Sequence, residues 1–341
     1  MNTRTTFGMT DVGRRRHSNQ DHFLIAQLNK SMLVSATSLP IDEKSRLFGG
    51  VQGQLLVVAD GMGGHAAGEK ASSLAIDQLI GRLLNSVHWF FQVDRDCEED
   101  FIDDLRELLQ DAHAGILKES HRDSELGGMG TTLTMAHIIW PRLYVVHAGD
   151  SRCYLVRRGV AEQLTTDHTY AHRMVESGGM RPEEEAGSRW SNVLWNVLGG
   201  GGEGKLLAEV RRADLQPGDT VVLCSDGLYR YLDAGTLAEI VGSEADPETI
   251  CNRLVRLANE AGGEDNITVV VSRPDPRERV EPRTTVQTEV PLGRLLQRDG
   301  LHASRDGLHA SRDGRAETNG RGQPFDDYGG DDSLSDTLPS R

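Results

Sequence analysis

Four short apolar runs in this chain lie beside an aspartate in a glycine-bearing stretch. Leu55 to Ala59 runs into Asp60-Gly61-Met62-Gly63-Gly64-His65, Leu143 to Ala148 into Gly149-Asp150-Ser151-Arg152, and Val221 to Cys224 into Ser225-Asp226-Gly227. Gly262-Gly263-Glu264-Asp265-Asn266 leads into Ile267 to Val271. An aspartate beside a buried strand carries a desolvation cost unless it is paired, hydrogen-bonded or bound to a cation. Four such positions suggest convergence on hard cations, and an oxygen-only donor set favours Mg²⁺ or Mn²⁺ over zinc. Taken singly, Asp-Gly is also a common hairpin signal. A hairpin needs its second strand at once, whereas Asp60 is followed by Met-Gly-Gly-His and a helical pattern, and Asp226 by Leu-Tyr-Arg-Tyr-Leu-Asp. The turn reading weakens at both.

An N-terminal element completes the set: Thr10-Asp11-Val12-Gly13, then Arg16-His17-Ser18-Asn19-Gln20-Asp21, then the apolar run Phe23 to Ala26. Arg16 is a candidate phosphate fork, because a planar guanidinium can hold two phosphoryl oxygens at once. The alternative is one more surface cation in the run Arg14-Arg15-Arg16. Cys97, Cys153, Cys224 and Cys251 form no Cys-x-x-Cys pair, which fits reduced, structural thiols. No Cys-x5-Arg loop of the cysteine phosphatases is expected.

The elements that must carry these groups follow from periodicity. Strands are expected at Gln54 to Ala59, Thr131 to Ile138, Leu143 to His147, Arg152 to Val156, Thr220 to Leu223 and Ile267 to Val271. Helical spacing recurs in Ala71, Leu74, Ala75, Leu79 and Leu83, in Phe101 to Ile116, and in Ile250 to Ala261. Two layers of strand covered by helices would absorb these faces. Asn29 to Gly53 reads as loop. Globular sequence ends near Arg273, giving a domain over 1–273 and a tail over 274–341. The tail repeats Arg298-Asp299-Gly300-Leu301-His302-Ala303-Ser304 at Arg305 to Ser311 and restarts it at Arg312-Asp313-Gly314. With so little to bury, and a glycine in each copy, the tail reads as disordered rather than coiled.

Seven motifs in order resemble the metal-dependent serine/threonine protein phosphatases of type 2C, in their bacterial branch. They are Arg16-x-x-Asn19-Gln20-Asp21, Asp60-Gly61-Met62-Gly63-Gly64-His65-x-x-Gly68-Glu69, Gly130-Thr131-Thr132, Gly149-Asp150-Ser151-Arg152, Leu164-Thr165-x-Asp167-His168, Ser225-Asp226-Gly227-Leu228 and Asp265-Asn266-Ile267-Thr268. The resemblance spans Thr6 to Val271. It implies an α+β fold, a four-layer α-β-β-α sandwich of two antiparallel sheets flanked by helices. It also implies a metal cleft at one end, in which Asp60 bridges two ions of Mn²⁺ or Mg²⁺ and Gly61 gives its carbonyl. Asp226 and Asp265 complete the first ion's shell, Asp21 orients metal-bound water, and Asp150 helps hold a third, weaker ion. The implied chemistry is hydrolysis of phosphoserine and phosphothreonine in proteins by a metal-bridging hydroxide, without a covalent intermediate, opposing a Ser/Thr protein kinase.

Two positions depart from the branch best known from animals. Gln20 replaces the glutamate before Asp21 and is a poorer Mg²⁺ ligand, and Met62 replaces a histidine that can donate a proton. His65 reads as a structural group near the metal residues rather than as the acid. A catalytically silent phosphopeptide-binding module on the same fold would be marked by loss of metal aspartates, yet Asp60, Asp226 and Asp265 are present.

The charge balance agrees with metal-mediated rather than surface-mediated handling of phosphate. With 52 Asp and Glu against 37 Lys and Arg, the formal net charge is −15. An acidic surface repels nucleic-acid backbones and anionic membranes. No apolar run approaches the roughly 18 residues a membrane span requires. No secretory leader is evident at the N-terminus, so a cytoplasmic protein without nucleic-acid or membrane partners is expected.

Overall fold

The structure, a computed structural model, describes residues 5–36, 38, 46–85, 98–200 and 205–274. The tail with its repeat, Cys97 and the side chain of His65 lie outside the described residues. Among the described residues twelve strands are formed: β1 (Thr6–Asp11), β2 (Asp21–Leu33), β3 (Arg46–Met62), β4 (Gly130–Thr131), β5 (Leu133–Ile139), β6 (Arg142–Ala148), β7 (Arg152–Arg157), β8 (Val160–Gln163), β9 (Leu198–Gly199), β10 (Glu209–Asp214), β11 (Thr220–Cys224) and β12 (Ile267–Ser272). Seven α-helices accompany them: α1 (His65–Asn85), α2 (Glu98–Arg122), α3 (Tyr170–Glu176), α4 (Pro182–Glu185), α5 (Asp226–Tyr229), α6 (Ala234–Ser243) and α7 (Pro247–Ala261).

Every named strand pair is antiparallel. One sheet runs β1-β12-β11-β7-β8. The other runs β10-β6-β5-β3-β4-β9, with β2 paired to β3. Side chains alternate across a strand, and here both alternating sets are apolar. Leu55, Val57 and Ala59 of β3 pack with Leu79, Leu105 and Leu109 of α1 and α2, while Leu56 and Val58 pack with Cys153, Val221 and Val270 of the opposite sheet. In the same way Val222, Val269 and Val271 meet Ile250, Leu254 and Ala258 of α7. The result is the four-layer α-β-β-α sandwich that the resemblance implied. Burial on both faces explains why these strands read as unbroken apolar runs rather than as alternating patterns. No described helix is long and apolar enough to cross a membrane.

The caps sit where the sequence chemistry allows. Asp233 accepts from Thr236 N at the start of α6, and Asp246 accepts from Thr249 N ahead of Pro247 in α7.

One expectation is corrected. Asn29 to Gly53 does not read as loop throughout: β2 continues to Leu33 and β3 begins at Arg46, with Leu33 opposite Arg46 and register shifts around Asn29. The extension mixes apolar residues (Met32, Leu33, Leu47, Phe48, Val51) with polar ones and three glycines in no regular alternation, so its pattern gave no sign of a strand. Backbone ladder bonds need no apolar side chains.

Candidate functional site

A cleft of about 320 Å³ opens at the end of the sandwich where β3, β11 and β12 carry their aspartates. Asp60, Asp150, Asp226 and Asp265 line it together with Arg16 and Gln20. Gly61 and Met62 lie on the same wall. Asp21 lies next to them, buried and directly opposite Asp60 in the β2–β3 register. The sequence-predicted residues are thus brought together from five separate stretches of chain.

The remaining motif residues are the clamps that hold those carboxylates in place. Asp60 N donates to the Thr132 hydroxyl at 3.0 Å, and its carbonyl accepts from Thr132 N at 2.9 Å and from the Thr131 hydroxyl at 2.8 Å. The Ser225 hydroxyl donates to Asp21 Oδ2 at 2.7 Å and accepts from Thr268 N at 2.9 Å, tying two sheets at one atom. Asn266 Oδ1 accepts from Gln20 N at 2.9 Å while its amide donates to the carbonyls of Val12 and Ser18. Gln20 therefore serves through its backbone as well: its carbonyl accepts from Ser72 Oγ at 2.5 Å and from Gly61 N at 3.2 Å.

Glycine is required where these segments touch. A Cβ on Gly227 would lie 2.1 Å from the Asn266 carbonyl oxygen, and one on Gly13, at φ +79°, would lie 2.2 Å from that of Asp265.

Electrostatically the cleft is an acidic cluster. Burial, followed by repulsion from Asp21, Asp226 and Asp150, holds the Asp60 carboxyl well above its usual range. Burial pushes Asp21 up to about 7, partly opposed by the Ser225 hydroxyl. Asp226 is raised too, by burial first, with Arg230 opposing. Asp21 Oδ1 and Asp226 Oδ1 are buried and meet no hydrogen-bond donor. A hard divalent cation fits such a site: oxygen donors only, partly orphaned, with charge to be cancelled. Asp60, Asp226, Asp265 and the Gly61 carbonyl are the groups that could hold it.

A stability prediction follows. Above the ordinary Asp value of 3.8 the unfolded chain releases this proton, whereas folded Asp21 keeps it up to about 7. The folded state then binds more protons, so stability contributed here is full below 3.8 and is lost as pH rises through about 7. The melting temperature of EDTA-treated protein is expected to fall with rising pH relative to Asp60→Asn, and Mn²⁺ is expected to abolish the difference. Parallel melting curves for the two proteins across that window would contradict it.

Two arginines enter the cleft and each is held on an aspartate. Arg16 Nη2 bonds Asp265 Oδ2 at 2.7 Å, with the Arg16 side chain half exposed. Arg230, which the sequence reading passed over, bonds Asp226 Oδ2 through its guanidinium. Its signal was present as an arginine four residues after Asp226, one turn on.

Cys224 stands six residues before Arg230, which matches the Cys-x5-Arg spacing without the reactive thiol that a cysteine-phosphatase loop needs. The spacing is formal only. Cys224 is fully buried at the end of β11, and burial pushes its thiol up to about 12, where no thiolate is available near neutrality. Cys153 and Cys251 are likewise free and buried.

Among the described residues a second group has metal-ligand types: His147, His168 and Glu209, with ligand atoms within 4.8 Å of one another. Its nitrogens are already used. His147 Nε2 faces the carbonyls of Gly149 and Thr166, both at 3.0 Å, and so carries its proton. His168 Nδ1 accepts from Gly149 N at 3.1 Å and from the Asn196 amide at 2.9 Å. The stacked rings act as a strut beneath the Gly149-Asp150 turn. Asp167 contributes by accepting the Arg152 fork, at 2.6 Å from Nη2. The same strut anchors the segment over 170–195. Trp195 N donates to the His168 carbonyl at 3.1 Å, and Asn192 and Leu194 reach the cleft wall, two contacts that sequence reasoning did not assign individually.

The fold and the cleft define a metal-fitted phosphatase sandwich, and comparison with known proteins agrees. The family model for protein phosphatase 2C matches residues 35–268. The serine/threonine phosphatase stp of Listeria monocytogenes is 32% identical over 266 residues, covering 78% of this chain and 94% of that protein. Among solved structures, the Mycobacterium tuberculosis serine/threonine phosphatase PstP superposes with a TM-score of 0.61 at 30% identity, covering 79% of this chain and 97% of that one. A structure of the PstP catalytic domain in complex with two manganese ions gives a TM-score of 0.59 at 30% identity, over 79% and 96% of the two chains. The chain belongs to the protein phosphatase 2C family, and it is a protein serine/threonine phosphatase.

Proposed function

We propose that the chain hydrolyses phosphoserine and phosphothreonine in cytoplasmic proteins by direct attack of water, with two Mn²⁺ or Mg²⁺ ions held by Asp60, the Gly61 carbonyl, Asp226 and Asp265. The observation that carries this reading is the meeting of those groups in one cleft beside Asp21, with two buried carboxylate oxygens lacking donors. When bound, the ions supply a water of lowered pKa and positive charge for the phosphoryl oxygens.

The chain's own residues supply the rest. Asp21, fixed by the Ser225 hydroxyl, is the group to orient the attacking water. Arg16 is the fork for two phosphoryl oxygens, its guanidinium already at the cleft on Asp265. Uncatalysed hydrolysis of phosphate monoesters is among the slowest of biological reactions, so most of the acceleration must come from positioning and charge. A side-chain nucleophile is not called for, and buried Cys224 is unsuited to be one. The names of the Listeria and Mycobacterium relatives support the phosphoserine and phosphothreonine class, and the manganese-bound relative supports the metal. The natural counterpart is a Ser/Thr protein kinase, whose products are the substrates.

The test is hydrolysis of a phosphothreonine peptide by protein stripped with chelator and then given Mn²⁺ or Mg²⁺. Activity is expected to vanish on stripping and return with either ion. If the protein bound Mn²⁺ yet left both this peptide and an aryl phosphate intact, the silent phosphopeptide-binding reading would replace the enzyme.

A further inference from the structure

Arg230 sits on the turn that closes α5, its amide bonded to the Asp226 carbonyl at 3.1 Å. Its guanidinium is held on Asp226 Oδ2, and the side chain is about one-third exposed. Asp150 lines the same cleft as Asp226 and Arg230. One short segment thus places a permanent cation on Asp226, in the cleft also lined by Asp150, the group that the resemblance assigned to a third, weaker ion.

Counting charges shows what the arginine does. Asp21, Asp60, Asp150, Asp226 and Asp265 bring five negative charges when ionised. Two divalent ions with Arg16 and Arg230 bring six positive ones, leaving a slight excess to meet a phosphate dianion. A third divalent ion would have to enter beside a guanidinium that cannot be deprotonated, and would compete with it for Asp226. We propose that Arg230 stands in for the third divalent ion, so that this phosphatase binds two ions and carries the third positive centre in its own chain. The proposal rests on the two-ion reading of the cleft.

A guanidinium differs from an ion in what it can do there. It offers several directed N–H donors but no open coordination position, so its contribution is to bind and orient anionic or carbonyl oxygens rather than to polarise water.

The test is an isotherm of Mn²⁺ binding to the full chain, read from the electron paramagnetic resonance of the free ion, for wild type, Arg230→Lys and Arg230→Gln. Circular dichroism checks each fold. Wild type and Arg230→Lys are expected to saturate at two ions per chain, and Arg230→Gln to take a third. A third ion on wild type or on Arg230→Lys overturns the proposal, as does saturation of Arg230→Gln at two. Fewer than two ions on wild type would remove the two-ion reading and this inference with it, an outcome distinct from the others.

Discussion

Asp60→Asn is expected to lower kcat/KM on a phosphothreonine peptide by about a thousandfold or more, since it removes the carboxylate shared by both proposed ions. The same substitution is expected to raise the stability of the metal-free protein. Asp60 is pressed by burial and by four neighbouring aspartates, and a neutral amide of the same shape relieves that repulsion. The backbone clamp of Thr131 and Thr132 on residue 60 does not involve the side chain, so the strand stays in place. Relief on the order of 1 kcal/mol would raise the melting temperature of a domain this size by about 3 °C. Opposite signs in the two measurements, activity down and metal-free stability up, are the signature of a metal-binding carboxylate rather than of a structural one. Retention of a tenth of wild-type activity would refute the bridging role.

Gly61→Ala is expected to be as damaging by a different route. Gly61 does not need a left-handed backbone; it needs space. A Cβ there would lie 2.1 Å from the Gly68 carbonyl oxygen and 2.8 Å from that of Gln20. Both obstacles are backbone atoms, one inside α1 and the other adjacent to Asp21, so neither yields as a flexible side chain would. Overpacking of this kind should cost about 2–4 kcal/mol. It should also push the Gly61 carbonyl and Asp21 out of register with Asp60. The expected result is a lower melting temperature with and without Mn²⁺, and Mn²⁺ affinity reduced at least tenfold. A variant with unchanged melting and affinity would show that α1 can slide away from β3.

The site was more legible in the sequence than its supports were. Asp60, Asp150, Asp226 and Asp265 announced themselves because each stands beside an apolar run in a glycine-bearing stretch, and all four line one cleft. Thr132, Ser225, Asn266 and His168 gave no such signal as clamps, because their partners lie across the sandwich and only folding creates the contacts. Arg230 was hidden by its setting: Leu-Tyr-Arg-Tyr-Leu has no clean periodicity, and α5 is a single turn. Strand β10 was missed for a related reason. Its Glu-Val-Arg-Arg-Ala-Asp pattern is that of a partly exposed edge strand, held by the β6 ladder rather than by apolar burial.

Asp21 and Asp60 belong to one sheet, whereas Asp226 and Asp265 flank the central strands of the other. No half of this chain holds the cleft alone. The cleft comes into being only when the sheets dock, which makes it a late event in folding and an early casualty of any loosening between layers. Ions bound there would act as a rivet across the inter-sheet seam, so the rate at which the sandwich opens should track the rate at which metal leaves.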